Sequence, residues 1–313
     1  MIFFYQILCV LGLVYAGFAA RRRGMLSAQG TTDLAHIALS LIYPALIFVS
    51  ITQLHLADLR ANVALPLLAM VIAMTGLGLG LIAVRWLGRI PPATSRAFLF
   101  HCLINNYSFL PLPLVLFRYG NKGVGLLVFS SVGFELLLWS LGVMLFTRTE
   151  RNRDRLKSLF SPPLITLVVS LALVVIRDSF AWPTPPEGLQ LAARTFHTGL
   201  STLGAATIAF SMLVAGSRFA MLKFETMLGW RVWFVSVIRL LAVPLIVIPL
   251  LTLLPLDPIA RGILCIIAVM PSAMVSALFS ERYGGDTDFI AGGLLLTHLW
   301  ALLTVPLLLA WAL

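Results

Sequence analysis

Apolar stretches of about 20 residues follow one another along this whole chain, and they restrict its fold more than any other feature. A helix needs about 20 predominantly apolar residues to cross the hydrocarbon core of a bilayer. Ten such stretches can be placed, near residues 2–20, 32–53, 62–84, 97–117, 123–146, 161–177, 196–215, 232–254, 260–279 and 288–310. Hydrophobic residues make up 60% of the chain and charged residues 11%, unlike a soluble domain. The sequence therefore predicts an all-α polytopic membrane protein with ten transmembrane helices.

The lysines and arginines predict the orientation of these helices. Loops assigned to the cytoplasm carry 15 of the 22 basic residues, the opposite loops carry six, and Arg239 falls inside a helix. Cytoplasmic loops of membrane proteins hold the excess of positive charge, so we expect a bacterial inner-membrane protein with both termini on the periplasmic side. The net charge of +10 comes from these loops. No nucleic-acid partner is expected, because no basic domain or aromatic platform accompanies the charge.

Two of the apolar stretches are interrupted by prolines in corresponding places. A proline inside a helix lacks an N–H group, and its ring clashes with the carbonyl four residues earlier. Pro111, Pro113 and Pro271 are therefore expected to free the carbonyls of Tyr107, Phe109 and Ile267. In a membrane such groups persist only where protein or a watery cavity satisfies them. Paired broken helices are typical of a transporter's central binding site, so we expect both breaks to meet around a solvated hollow.

The most charged loop divides the chain into two sets of five helices. Residues 148–160 are interpreted as a basic cytoplasmic linker between a first repeat in residues 1–147 and a second in residues 161–313. An odd number of helices per half turns the second half upside down relative to the first. The sequence therefore predicts two inverted five-helix repeats with broken, crossing fourth and ninth helices, a common plan among transporters.

Polar side chains around both breaks are candidate substrate-binding groups. On a helix His101, Asn105 and Ser108 would share one face, and side-chain amides suit a carboxylate because they both donate and accept hydrogen bonds. The alternative is that the asparagines only satisfy the freed backbone and that the serines only allow close helix packing. The candidate binding residues are Asn105, Asn106, Ser108, Pro111, Pro113, Pro271, Ser272 and Ser276.

Three ionisable residues inside the predicted helices have open roles. Charges within the bilayer are costly unless they are paired or hydrated. Glu135 is a candidate carrier of a coupling proton; alternatively it pairs with Arg239, or with polar neighbours, as a structural lock. Arg239 is expected to be structural. His298 is a candidate for a proton relay or a substrate contact, or else satisfies a neighbouring backbone group.

No cofactor, metal or disulfide is expected. The three cysteines, Cys9, Cys102 and Cys265, lie in separate apolar runs, and no histidine pair with an acid has metal-binding spacing. No Gly-x-Ser-x-Gly turn or phosphate loop is present. A membrane-embedded enzyme is the alternative from another class, and it would need His101, Glu135 and His298 to converge.

A series of short motifs extends along nearly the whole chain. They are Arg21–Ser27, Tyr43–Phe48, Asn105–Pro113, Ser161–Pro163, Ser211–Ser217, Arg239–Leu241 before Pro244, Met270–Ser272 and Thr304–Pro306. In their order and spacing they resemble the auxin efflux carrier family, which includes plant PIN proteins and bacterial permeases for small carboxylates. The short central loop resembles the compact bacterial form.

The resemblance implies a fold similar to that of bile-acid/sodium symporters. Helices one, two, six and seven would form a scaffold, often a homodimer, and the remaining helices a moving transport domain. Substrate would bind where the fourth and ninth helices cross, near Asn105, Asn106, Pro111 and Pro271, and elevator-like movement would give alternating access.

These observations favour a secondary transporter for small organic anions, most simply mono- or dicarboxylates. Half-helix N-termini directed at the middle of the membrane would attract a carboxylate. Export or import, and proton, sodium or no coupling, stay open. The alternatives are a sodium-coupled bile-acid-type symporter, a passive channel and the enzyme described above.

Overall fold

The computed structural model describes residues 2–88, 90–146, 161–180, 185–221, 224–283 and 285–313. Over these residues the chain is almost entirely helical, and its single extended pairing is an isolated bridge between two residues. The predicted linker, residues 148–160, lies outside the described residues.

Twelve helices can be followed through the described residues. They are α1 (Ile2–Arg22), α2 (Ala28–Thr52), α3 (Leu56–Ala61), α4 (Leu65–Trp86), α5 (Pro92–Leu103), α6 (Pro111–Phe146), α7 (Pro162–Ser179), α8 (Glu187–Phe219), α9 (Trp230–Thr252), α10 (Pro258–Ala268), α11 (Val275–Tyr283) and α12 (Thr287–Ala312). A short 3₁₀ turn, Phe224–Leu228, precedes α9.

Seven helical stretches in the described part of the chain are long and apolar enough to cross a membrane: α2, the combined stretch Leu56–Trp86, α6, α7, α8, α9 and α12. The protein is therefore a multi-pass helical membrane protein. The stretches predicted as the fourth and ninth helices, 97–117 and 260–279, are each divided by a non-helical segment. This division leaves α5, α10 and α11 too short to span alone.

One predicted helix boundary falls where it was expected and another is wrong. The fourth and fifth helices were expected to end and begin around residues 117–123, and the backbone leaves helical geometry there at Gly120, which kinks α6 between its two helical parts. Gly120 has a φ of 63°, a conformation that costs glycine little, so the turn occupies one residue. The other predicted helix, 196–215, is the middle of the longer α8, which begins at Glu187 and ends at Phe219.

Helices α2 and α9 each widen into a π-helical turn just before a proline. The turns are Ala38–Ile42 before Pro44 and Ile238–Ala242 before Pro244. Because proline cannot donate and clashes with the carbonyl four residues back, the hydrogen bond reaches one residue further: Tyr43 N donates to Ala38 O, and Val243 N to Ile238 O. Arg239 lies within the second turn, so this local widening sets its position.

The helices pack as two groups. In the first, α1, α2, α7 and α8 pack together, while α4, α5, α6, α9, α10 and α12 pack around one another in the second. Glycines bring α1 and α8 into backbone contact, since a Cβ on Gly17 would collide with Leu213 and one on Gly216 with Val14. Small residues at such contacts are typical of helices packed in membranes.

Candidate functional site

The two non-helical segments meet in the interior of the protein. The first, residues 104–110, separates α5 from α6, and the second, residues 269–274, separates α10 from α11. Asn106 N donates to Pro271 O at 2.7 Å, and Ala273 N donates to Ile104 O at 3.1 Å. Asn105 and Ser272 thus form an antiparallel bridge, and both are fully buried. We call these two segments together the junction.

The junction supplies its own partner for a carbonyl that a proline frees. Pro271 cannot donate to Ile267 O, and Asn105 Nδ2 donates to that oxygen at 2.5 Å. The expectation for the first segment is wrong in detail. Helix α5 already ends at Leu103, and Pro111 begins α6, a position where the missing N–H costs nothing. Pro113 lies in the same first turn and is buried.

Each residue of the bridge keeps one buried polar atom without a hydrogen-bond partner in the described structure. These atoms are Asn105 Oδ1 and Ser272 Oγ. The backbone N–H of Ser272 has a partner, Thr297 Oγ1, at 3.4 Å. An unpaired buried polar atom costs about 1–3 kcal/mol, so two of them at one bridge indicate a place where another group can bind.

The expected polar face of the fourth helix does not exist, because the chain leaves helical geometry after Leu103. His101 stays in α5, fully buried, with Nε2 3.2 Å from Ile290 O. Asn106 Oδ1 accepts from Leu110 N at 3.2 Å and so caps the start of α6. Ser108 is partly exposed. Asn105, the third residue of the expected face, forms the bridge to Ser272.

Arg239 holds the end of α10 beside the junction. Its Nη2 donates to Ala268 O at 3.0 Å and its Nε to Met270 O at 3.3 Å, and the residue has no exposed surface. A cation at a helix C-terminus satisfies unpaired carbonyls and the negative end of the dipole. The structural role expected of Arg239 stays a prediction, and these two bonds are the contacts through which it would act.

Glu135 contacts the first segment of the junction through Tyr107. Tyr107 Oη donates to Glu135 Oε1 at 2.7 Å, and Trp139 Nε1 donates to Glu135 Oε2 at 3.0 Å. Tyr107 also stacks on Phe134, with ring centroids 4.7 Å apart. Of the alternatives for Glu135, the ion pair with Arg239 is not formed, because Glu135 bonds to Tyr107 and Trp139 and Arg239 bonds to Ala268 and Met270.

A cavity of about 330 Å³ lies beside the junction, between the two groups of helices. Its wall is apolar apart from Tyr15 and His298, and Met270 and Leu110 connect it to the two segments. The hollow is therefore not the polar one expected around freed carbonyls, because protein groups already satisfy those at Ile267, Ala268, Met270 and Pro271. His298 Nδ1 bonds to Leu294 O at 2.8 Å, leaving Nε2 unused by that bond.

Ser276, His101 and Glu135 do not line this cavity. Ser276 is fully buried and donates to Ala273 O at 2.7 Å, inside its own segment. The three residues of the enzyme alternative do not bond to one another. His101 bonds to Ile290, His298 bonds to Leu294, and Glu135 bonds to Tyr107 and Trp139. In the described part of the chain, no three histidine, cysteine or acidic side chains are grouped as metal ligands would be.

The fold and the junction define a polytopic membrane protein whose helices are interrupted at one buried polar point. The chain belongs to the membrane transport protein family, whose model matches residues 2–309. This is the auxin efflux carrier family that the motifs resemble.

Two archaeal proteins are similar to this chain over nearly its full length. An uncharacterized transporter of Methanothermobacter thermautotrophicus is 25% identical over 307 residues, covering 96% of this chain and 95% of its own length. An uncharacterized transporter of Methanocaldococcus jannaschii is 24% identical over 308 residues, covering 96% of each chain. Both names indicate transport and neither gives a substrate.

Proposed function

We propose that this protein is a secondary transporter that binds small organic anions, in the first place carboxylates, at the junction. One observation carries the proposal: the bridge between Asn105 and Ser272 is buried and holds an unpaired amide oxygen and an unpaired hydroxyl. The hydroxyl can donate to a carboxylate oxygen, and Asn105 Oδ1 can accept from a hydroxyl or a protonated group on the same substrate. Asn106, Ser108, Pro111, Pro113, Pro271 and Ser276 shape the surroundings.

The proposed architecture is ten helices in two inverted repeats, with the fourth and ninth helices crossing at the junction. The two groups of packed helices support a division into scaffold and moving parts, and the cavity between them is where an elevator-type movement would take place. Both termini lie on the periplasmic side of a bacterial inner membrane in this proposal, and the scaffold helices form a homodimer.

Uptake of labelled monocarboxylates and dicarboxylates into proteoliposomes tests the transport function. A carrier that alternates between two faces saturates at low flux, so we expect saturable uptake and stimulation by the same substrate trapped inside. Empty liposomes are the control. Flux that rises linearly with concentration would favour the channel, and dependence on a sodium gradient would favour the bile-acid-type symporter. Release of a chemically altered product would favour the enzyme.

We also propose that Glu135 carries a coupling proton. It contacts the first segment through the hydroxyl of Tyr107. Glutamine resembles the protonated carboxyl, so Glu135→Gln is expected to transport at high pH as the wild type does at low pH, with a flattened pH profile of uptake. The exposed glutamate at the start of α8, changed as Glu187→Gln, is the matched control. An unaltered profile in Glu135→Gln would leave this residue a structural role only.

A further inference from the structure

Arg239 is a formal positive charge without a negative partner in the described part of the structure. It is fully buried, and its two hydrogen bonds go to neutral carbonyls, Ala268 O and Met270 O. Its third nitrogen, Nη1, is buried and has no hydrogen-bond partner. Buried charges in proteins are normally paired, because an isolated one is costly. The capping role therefore explains two of its nitrogens, and the C-terminus of α10, with about half a negative charge, balances only part of its positive charge.

The charge lies close to the place where the proposed function puts the substrate. Met270, whose carbonyl Arg239 holds, is adjacent to Pro271 and also lines the cavity. Nη1 of Arg239 points towards Gly76 on α4: a Cβ on that glycine would lie 3.2 Å from Nη1. The same Cβ would collide with the carbonyl oxygen of Cys102, so Nη1 and this carbonyl are near each other. Cys102 comes three residues before Asn105 of the first segment, and Met270 belongs to the second segment. The guanidinium therefore lies near residues of both chain regions that lead into the junction.

The other fixed charges near the junction do not cancel the field of Arg239. Four half-helix ends meet there, the C-termini of α5 and α10 and the N-termini of α6 and α11, and their opposite partial charges offset one another. Glu135 is on the first segment's side, and its two carboxylate oxygens accept from Tyr107 Oη and Trp139 Nε1. It therefore forms no bond with the guanidinium of Arg239.

We propose that Arg239 determines the charge specificity of the junction: its uncompensated charge makes the site select an anion over a neutral molecule of the same shape. This inference rests on the proposed function, since it requires that substrate binds at the junction. Arg239 does not touch the substrate in this account. It acts through space, and the backbone contacts with Ala268 and Met270 fix its distance.

The test separates charge from helix capping by neutralising Arg239 without removing it. Cys102→Asp adds a carboxylate on the residue whose carbonyl lies near the same point as Nη1, and Cys102→Asn, of nearly the same shape and without charge, is the matched control. The probes are acetate, butyrate, benzoate and succinate, each with its primary amide, and the readout is the ratio of carboxylate to amide affinity in purified protein. This ratio does not change when a variant merely loses folded protein, because both members of a pair need the fold.

We expect the wild type to prefer at least one carboxylate over its amide, and Cys102→Asp to lower that preference by about tenfold or more, with Cys102→Asn unchanged. If the Cys102 variants do not fold, Arg239→Lys and Arg239→Gln give the same comparison, with the preference kept in the first and lost in the second. The inference is overturned if the wild type prefers no carboxylate, or if the charge-changing variants keep its preference. Asn105→Ala is the separate check on the site: binding lost there but an unchanged ratio in the other variants would refute only the role of Arg239.

Discussion

Asn105→Ala is expected to reduce carboxylate binding by about 100-fold or more. The substitution removes Nδ2, one of two donors to Ile267 O together with Met270 N, and Oδ1, the unpaired acceptor at the bridge. Losing a buried hydrogen-bond partner costs about 1–3 kcal/mol, and here the loss falls on both the substrate and the segment that positions Ser272. Asn106→Ala is expected to act in the same direction through the lost cap on Leu110 N. Isothermal calorimetry or thermal shift with carboxylates measures both.

Asn62→Ala is the matched control for these variants. Asn62 is also buried, and its Nδ2 donates to the carbonyl of Asp58 at 2.9 Å. This bond caps the C-terminus of α3, and neither residue belongs to the two segments of the junction. We expect Asn62→Ala to cost stability and leave carboxylate affinity unchanged. Wild-type affinity in both Asn105→Ala and Asn106→Ala, in protein that is still folded in detergent, would refute binding at the junction.

Gly216→Val is expected to destabilise the protein by about 3 kcal/mol or more. A Cβ at this position would overlap the carbonyl oxygen of Val14 on α1. The distance between the two atoms would be far below 3.0 Å, the shortest that a real Cβ makes with another heavy atom. Because the obstacle is backbone, α1 and α8 must separate to accept the side chain. Gly17→Val is expected to act from the opposite helix, where the Cβ meets the backbone of Leu213. Unfolding in detergent, followed by tryptophan fluorescence, measures the loss.

Gly12→Ala supplies the control on α1, because a Cβ there meets nothing within 4 Å. Replacing a free helical glycine by alanine is expected to leave stability unchanged or raise it by up to about 1 kcal/mol. Equal effects at Gly12 and Gly17 would show that helix propensity, and not close packing of α1 on α8, governs this region.

The sequence predicted the helical membrane class and the positions of both breaks because these depend on composition and on proline chemistry. It did not predict how the breaks are satisfied, because that depends on contacts between residues about 160 positions apart. Asn105 pairs with Ile267, and Arg239 holds the end of α10 across a gap of 29 residues. The helical face drawn through His101 and Ser108 was wrong because α5 ends before the first proline of the break.

Some contacts of the candidate site were within reach of sequence reasoning. Glu135 and Trp139 are four residues apart on one helix, a spacing that brings side chains together. Pro244 signalled a disturbance of the helix around Arg239, since its ring excludes the carbonyl four residues earlier. The stacking of Tyr107 on Phe134, and the apolar character of the cavity, follow from the packing of separate helices and had no signal in a single sequence.

A cryo-electron microscopy structure of the protein with the carboxylate that stabilises it most is the most direct measurement. We expect ligand density between the two non-helical segments of the junction. A carboxylate oxygen of the ligand should lie within hydrogen-bonding distance of Ser272 Oγ, and the ligand should contact Asn105. Density for the ligand elsewhere, with Asn105 and Ser272 still bridged and both atoms still unpaired, would contradict it.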